Sequence, residues 1–160
     1  MTVAEELVEL LKANGLTCAT AESCTGGGVG SAITAVPGSS AVFAGGVISY
    51  ANDVKERVLG VPAETLATVG AVSSETAAQM AKGVRELLRV DLAVSLTGIA
   101  GPDGGSAEKP VGLVWFGLAT SSGIRTEKAI FRGDRARVRA QAVTHALGML
   151  TVAAMDGVRA

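Results

Sequence analysis

The sequence predicts an α/β fold, a three-layer α/β/α sandwich around a mixed, mostly parallel sheet of about five strands. Three observations predict it. Helical periodicity alternates with short apolar runs, namely Leu16 to Ala21, Val42 to Tyr50, Leu92 to Leu96 and Val111 to Thr120. The run Leu92 to Leu96 lacks clean apolar/polar alternation, as expected of a central strand covered on both faces. Core volume comes from Ala, Val, Leu and Gly, with only five aromatic residues, so helices and sheet can approach closely.

Taken in order, Val3, Leu7, Leu10 and Leu11 recur at helical spacing, and Asn14-Gly15 ends that first helix near Ala13. A strand, Leu16 to Ala21, leads through a glycine-rich turn into a helix reaching about Ala35, which Pro37-Gly38 terminates. After the strand Val42 to Tyr50, Asn52 is placed to cap a short helix, Asp53 to Leu59, and Pro62 to Val69 gives another helical piece. Ser73 or Ser74 begins a long helix to about Arg89. Thr97 to Pro110 is a loop with four glycines and two prolines, longer than most connections and so either functional or mobile. Val111 to Thr120 and Ile124 to Phe131 form an edge hairpin, and Asp134 caps a last helix to about Met155.

With 160 residues, 48% of them hydrophobic and 18% charged, the chain suits one domain spanning residues 1–160, without repeat or linker. A net charge of −1, with bases clustered only at Arg132 to Arg139, argues against a nucleic-acid partner and leaves a small anionic ligand open. Cys18 and Cys24 supply neither a disulfide framework nor a zinc site. The N-terminus carries acids where a signal peptide carries bases, and no apolar run approaches the roughly 18 residues of a membrane span. The expectation is a cytoplasmic protein with no membrane partner.

The chemistry concentrates in Ala21-Glu22-Ser23-Cys24-Thr25-Gly26-Gly27-Gly28, a hydroxyl, a thiol and a glycine run between strand and helix. The first helical turn has unpaired N–H groups and a positive dipole end, so main chain alone can hold an anionic oxygen there. Ser23 and Cys24 compete as nucleophile, and spacing does not choose between them. His145 lies deep in the last helix and reads as a packed or interface histidine, so a Ser-Lys pair is the available variant, with Lys55 as base and the Tyr50 phenol passing the proton. Glu22 to Gly28, Tyr50 to Lys55 and Thr97 to Gly105 all leave strands at carboxyl ends and should converge on one sheet edge. The Thr97-Gly98 loop offers N–H groups but lacks the spacing of a P-loop or a dinucleotide fold. Asp103 and Glu108 read as solvated carboxylates. Lys109, Arg135 and Arg137 are candidate phosphate partners, and of the Arg132 to Arg139 cluster at most one or two should turn inward.

Ala21-Glu22-Ser23-Cys24-Thr25-Gly26-Gly27, Tyr50-Ala51-Asn52 with Lys55, Thr97-Gly98-Ile99-Ala100-Gly101-Pro102-Asp103-Gly104-Gly105, Lys109-Pro110-Val111-Gly112 and Gly133-Asp134-Arg135 together resemble the C-terminal domain family of the competence/damage-inducible protein CinA. The likeness covers essentially the whole chain. Members of that family include nicotinamide-nucleotide amidohydrolases, which convert nicotinamide mononucleotide to nicotinate mononucleotide and ammonia in pyridine-nucleotide recycling. The resemblance implies the same three-layer fold, the stand-alone form of the domain, no cofactor or metal, and a homo-oligomer. It implies Ser23 as nucleophile, Lys55 and Tyr50 as the proton-handling pair, and Thr97 with Gly98 and Arg137 near the substrate; N–H groups around Thr25, Gly26 and Gly27 would hold the oxyanion. The competing readings are a non-catalytic nucleotide-binding or protein-interaction domain of the same fold, and a Cys24 amidase.

Overall fold

The computed structural model describes residues 1–159, without the side chains of the last two. Helix α1 (Val3–Asn14) opens with a capping box, in which the Thr2 hydroxyl accepts from Glu5 N–H and the Glu5 carboxylate accepts from Thr2 N–H. Leu16 N–H closes back onto Leu11 C=O at 2.9 Å, so Leu16 belongs to the end of α1. The first strand, β1 (Cys18–Glu22), therefore starts two residues later than its apolar run suggests. Helix α2 (Gly28–Thr34) leads to β2 (Phe43–Ile48), then to α3 (Asn52–Leu59), α4 (Ala63–Thr68) and α5 (Ser74–Leu88). Strands β3 (Leu92–Gly98), β4 (Leu113–Thr120) and β5 (Gly123–Ile130) precede α6 (Arg135–Arg159).

Two caps fall where the sequence places them. The Ser73 hydroxyl accepts from Thr76 N–H at the head of α5, and Asp134 Oδ1 accepts from Arg137 N–H at the head of α6. Asn52 does not cap. Ala51 holds that position, its carbonyl accepting from Val54 and Lys55 N–H, and Asn52 is the first residue inside α3.

The five strands lie in the order β2-β1-β3-β4-β5. Strands β1, β2 and β3 run parallel, β4 runs antiparallel to β3, and β5 turns back antiparallel to β4 to complete the expected edge hairpin. The apolar run of β3 is the centre of the sheet. Helices α1, α2 and α6 cover one face around Leu7, Ile33, Val94, Phe116 and Leu150; α3 and α5 cover the other around Ala19, Ala21, Leu59, Met80 and Val84. The pleat sorts each strand between these layers, since alternate side chains point to opposite faces. In β3, Val94 and Leu96 face α6, whereas Ser95 and Thr97 hydrogen-bond to Ala77 C=O and Ala71 C=O on the α5 side. No helix among the described residues is long and apolar enough to cross a membrane.

Candidate active site

The same alternation separates Ser23 from Cys24. Ala19 and Ala21 point into the α3/α5 layer, and Ser23 continues that face, its N–H extending the ladder to Leu96 C=O at 3.1 Å. Cys18 and Cys24 belong to the opposite core. Helix α3 brings the partner. Its exposed faces are polar apart from Val58, and Lys55 and Leu59, four residues apart, share the buried side. The lysine is only 1% exposed and its amine lies 3.0 Å from Ser23 Oγ.

Two further contacts fix that amine. Lys55 Nζ donates to Ser49 C=O at 2.7 Å and to Tyr50 C=O at 3.1 Å. Ser49 is itself tied to the end of β1, its N–H donating to Glu22 C=O at 2.7 Å. A neutral amine has two hydrogens and one lone pair. With both hydrogens given to the carbonyls, the lone pair is left for Ser23 Oγ–H. Desolvation pushes the Lys55 amine below the usual lysine value of 10.5 and so favours that neutral form, opposed by Cys24 only where its thiol ionises. Burial acts the other way on the rival thiol: Cys24 is pushed up to about 11, so near neutrality it is the unreactive thiol.

Glu22 explains how the turn after Ser23 is held. Its carboxylate, 2% exposed, accepts from Thr25 Oγ1 at 2.6 Å, Val29 N–H at 2.9 Å and Gly30 N–H at 3.0 Å. The first turn of α2, expected to be free for an anionic ligand, is thus occupied by the chain's own carboxylate. Gly26 and Gly27 adopt φ of +59° and +99°, which L side chains rarely do, and an added Cβ on Gly27 would lie 3.0 Å from Ile48. Gly26 N–H is turned to Ser23 C=O at 3.1 Å.

Ser23, Lys55, Tyr50, Thr97 and Gly98 converge on one cavity of about 200 Å³ at the carboxyl edge of β1, β2 and β3, which Cys24 also lines. Thr25, Gly26, Gly27 and Arg137 do not line it. Thr25 is buried against Glu22, and the Arg137 stem lies over Gly133 with the residue exposed. Arg135 takes the position at the mouth that the sequence reading gave to Arg137: its guanidinium donates to Gly101 C=O at 2.8 Å and to the Tyr50 hydroxyl at 3.3 Å. Tyr50 therefore meets the base through its carbonyl, while its phenol, on a side chain 62% exposed, faces Arg135 rather than Lys55. Of the other bases, Lys109 donates to Val69 C=O at 2.6 Å, and Arg139 reaches Cys24 and Thr25 C=O. His145 packs on Phe116, ring centroids 4.3 Å apart, and pairs with Glu127 at 2.6 Å.

Residues 1–153 match the CinA C-terminal domain family. The chain belongs to that family. It is 51% identical over 151 residues to the nicotinamide-nucleotide amidohydrolase PncC of Escherichia coli K12, covering 94% of this chain and 92% of that protein. It is 56% identical over 136 residues to a putative competence-damage inducible protein of Halothermothrix orenii, covering 84% of this chain but 33% of that one. Against the longer competence-damage relatives it thus spans about a third of their length. Among solved structures, a CinA superfamily protein of Klebsiella pneumoniae 700603 superposes with a TM-score of 0.92 at 36% identity, covering 96% of both chains. The competence/damage inducible protein CihA of Agrobacterium tumefaciens gives 0.88 at 44% identity over the same shares.

This CinA domain also brings to the cavity Asn52 and Ala100, which lie in the segments expected to converge, and Ala71 and Val72, which sequence reasoning did not single out. Asn52 enters from the first turn of α3, Ala71 and Val72 from the link between α4 and α5, and Ala100 from the loop after β3. The link is drawn in by Thr97, whose hydroxyl donates to Ala71 C=O at 2.9 Å. A small polar residue ending an apolar strand is the one signal that could have pointed there.

Proposed function

We propose that this chain hydrolyses the carboxamide of nicotinamide mononucleotide, releasing ammonia and nicotinate mononucleotide, by a Ser-Lys acyl-enzyme mechanism in pyridine-nucleotide recycling. The observation that carries the reading is the buried Lys55 amine 3.0 Å from Ser23 Oγ, its other contacts being two carbonyls. The likeness to PncC along nearly the full length of both chains supports the substrate.

In this mechanism Ser23 Oγ attacks the carboxamide carbon as Lys55 Nζ takes the hydroxyl proton. The new C–O bond forms as the carbonyl π pair moves to oxygen. Collapse of that oxyanion breaks the C–N bond, and the proton on Lys55 passes to the departing nitrogen, giving ammonia. Water then attacks the acyl ester, with Lys55 again taking a proton and returning it to Ser23. Backbone N–H donors stabilise the oxyanion at each addition, an effect worth about 3 kcal/mol per donor. Tyr50 serves Lys55 through its carbonyl, and its phenol with Arg135 shapes the mouth where the phosphoribosyl part would leave the cavity.

Ammonia release from nicotinamide mononucleotide by the purified chain tests this, run beside Ser23→Ala, Lys55→Ala and Cys24→Ala. Turnover should fall by at least about 10³-fold in the first two, the scale seen when one member of such a catalytic unit is removed. The Cys24→Ala chain should retain it. Retained affinity for the nucleotide with no turnover in the unmodified chain would favour a binding domain instead.

A further inference from the structure

We propose that Asn52 is a catalytic residue, its side-chain amide donating to the oxyanion that forms on the substrate carbonyl beside Ser23. The proposal rests on the Ser-Lys reading above. Its starting point is that the glycine-rich turn does not supply the whole oxyanion hole. Val29 and Gly30 N–H are bound to Glu22, Gly26 N–H is bound to Ser23 C=O, and Thr25, Gly26 and Gly27 do not line the cavity. What the turn still offers at the cavity is Cys24 N–H, next after the nucleophile and without an acceptor among the described residues. One donor leaves an alkoxide oxygen with lone pairs unmet.

The wall of the cavity supplies another. Of the oxygen- and nitrogen-bearing side chains that line it, Asn52 alone makes no hydrogen bond among the described residues. Thr97 spends its hydroxyl proton on Ala71 C=O, and Arg135 donates to Tyr50 at the mouth. Asn52 is uncommitted because Ala51 takes the cap of α3, so the asparagine stands as the first residue of the helix instead of binding its N–H groups. Its nearness to the reacting atoms follows from Lys55. The two are three residues apart and so share a side of α3. The lysine amine reaches Ser49 C=O and Tyr50 C=O, which precede the helix, so its side chain runs back along α3 to the turn that carries Asn52. The cavity, about 200 Å³, is smaller than the roughly 300–1,000 Å³ of a typical ligand pocket, so little separates a carbonyl at Ser23 from Asn52. As Ser23 Oγ bonds to the carboxamide carbon, the π pair moves to oxygen, where Asn52 Nδ2–H and Cys24 N–H meet it.

The test compares Asn52→Ala and Asn52→Asp with the unmodified chain, using nicotinamide mononucleotide turnover and the rate at which a fluorophosphonate labels Ser23. Both reactions place negative charge on an oxygen beside Ser23, and the second does not depend on the nucleotide being the substrate. The position is exposed and both replacements suit the first turn of a helix, so Tm should be kept. Asn52→Ala should lower kcat about 10²-fold with KM nearly constant, the scale of one lost oxyanion donor, and labelling should slow in parallel. Asn52→Asp should be at least as impaired, because a carboxylate cannot donate. Its remaining turnover should rise at a higher pH than in the unmodified chain, because negative charge beside Lys55 favours the ammonium. Unchanged kcat and labelling in Asn52→Ala would overturn the proposal while leaving the Ser-Lys reading intact. A raised KM with unchanged kcat would overturn it in favour of a substrate contact away from the reacting carbonyl. Neither turnover nor labelling in the unmodified chain would remove the Ser-Lys reading and this proposal together.

Discussion

Lys55 is the residue whose chemistry the rest of the site serves. Its side chain is buried, its amine is satisfied by Ser49 C=O and Tyr50 C=O, and desolvation holds it below 10.5. Two pH dependences follow from that direction. Turnover should rise as pH climbs through the lowered value, because only the neutral amine accepts the Ser23 proton. Stability should rise in the same direction. Between the folded-state value and 10.5 the unfolded chain binds more protons at this position than the folded chain, so unfolding becomes harder as pH increases. Below that window the cost of keeping a charged amine buried is fully felt. Lys55→Met removes the titrating group. The Tm of the unmodified chain minus that of Lys55→Met should therefore grow with pH toward 10.5, measured at fixed ionic strength. A difference that stays flat with pH would show that burial does not depress the amine. The thiol next door illustrates the same physics with opposite sign, since burial disfavours the thiolate and leaves Cys24 inert near neutrality.

The elements matter because they deliver these groups to within hydrogen-bonding distance. Helix α3 is legible in the sequence as a short helix with Lys55 as candidate base, and the sign of that lysine's burial is that it precedes Leu59 by four residues on a helix whose other positions are largely polar. Strand period separates Ser23 from Cys24, because Ala19, Ala21 and Ser23 share a face while Cys18 and Cys24 share the other, but it does not say which face meets a base. What a single sequence could not show was which layer α3 would join. That depends on the contact between α3 and α5, where Gly83 lets the end of α3 lie against α5. An added Cβ there would collide with Leu59 C=O, its carbon only 2.8 Å away. Gly83→Ala should cost about 1–3 kcal/mol in urea unfolding as the helices are pushed apart. It should also lower kcat roughly 10-fold or more, because Lys55 lies one turn from Leu59 and shifts with it. Lost stability with full kcat would mean that the turn at Ser49 and Tyr50, not α3, sets the position of the base.

At the scale of the whole molecule, the sheet order explains why the site lies at one edge. Parallel β1, β2 and β3 all deliver their carboxyl ends there, which the alternation of helices and strands anticipated. The arginines that reach the site were partly legible: within the run Arg132, Arg135, Arg137 and Arg139, only Arg135 and Arg139 are four residues apart and share a face of α6, while tertiary docking decides which face meets the site. The hairpin places its tip at the far edge, since Ala119 of β4 pairs with Ala93 at the start of β3, whereas Thr97 and Gly98 lie at its end. A cavity of about 500 Å³, larger than the one at Ser23, opens at that tip between Leu118, Ser121, Ile124 and Ala153. Size alone would favour it as the reaction site, but it is lined by neither Ser23 nor Lys55. Ser121 and Ser122 are exposed, and lengthening a surface turn adds little closure entropy. Inserting Gly-Ser between them reshapes the larger cavity and leaves the carboxyl edge untouched. The inserted chain should keep kcat/KM within about 2-fold, since a change of RT ln 2 is only about 0.4 kcal/mol. A loss of 10-fold or more with the fold intact would move the reaction, or its coupling, to the hairpin end of the sheet.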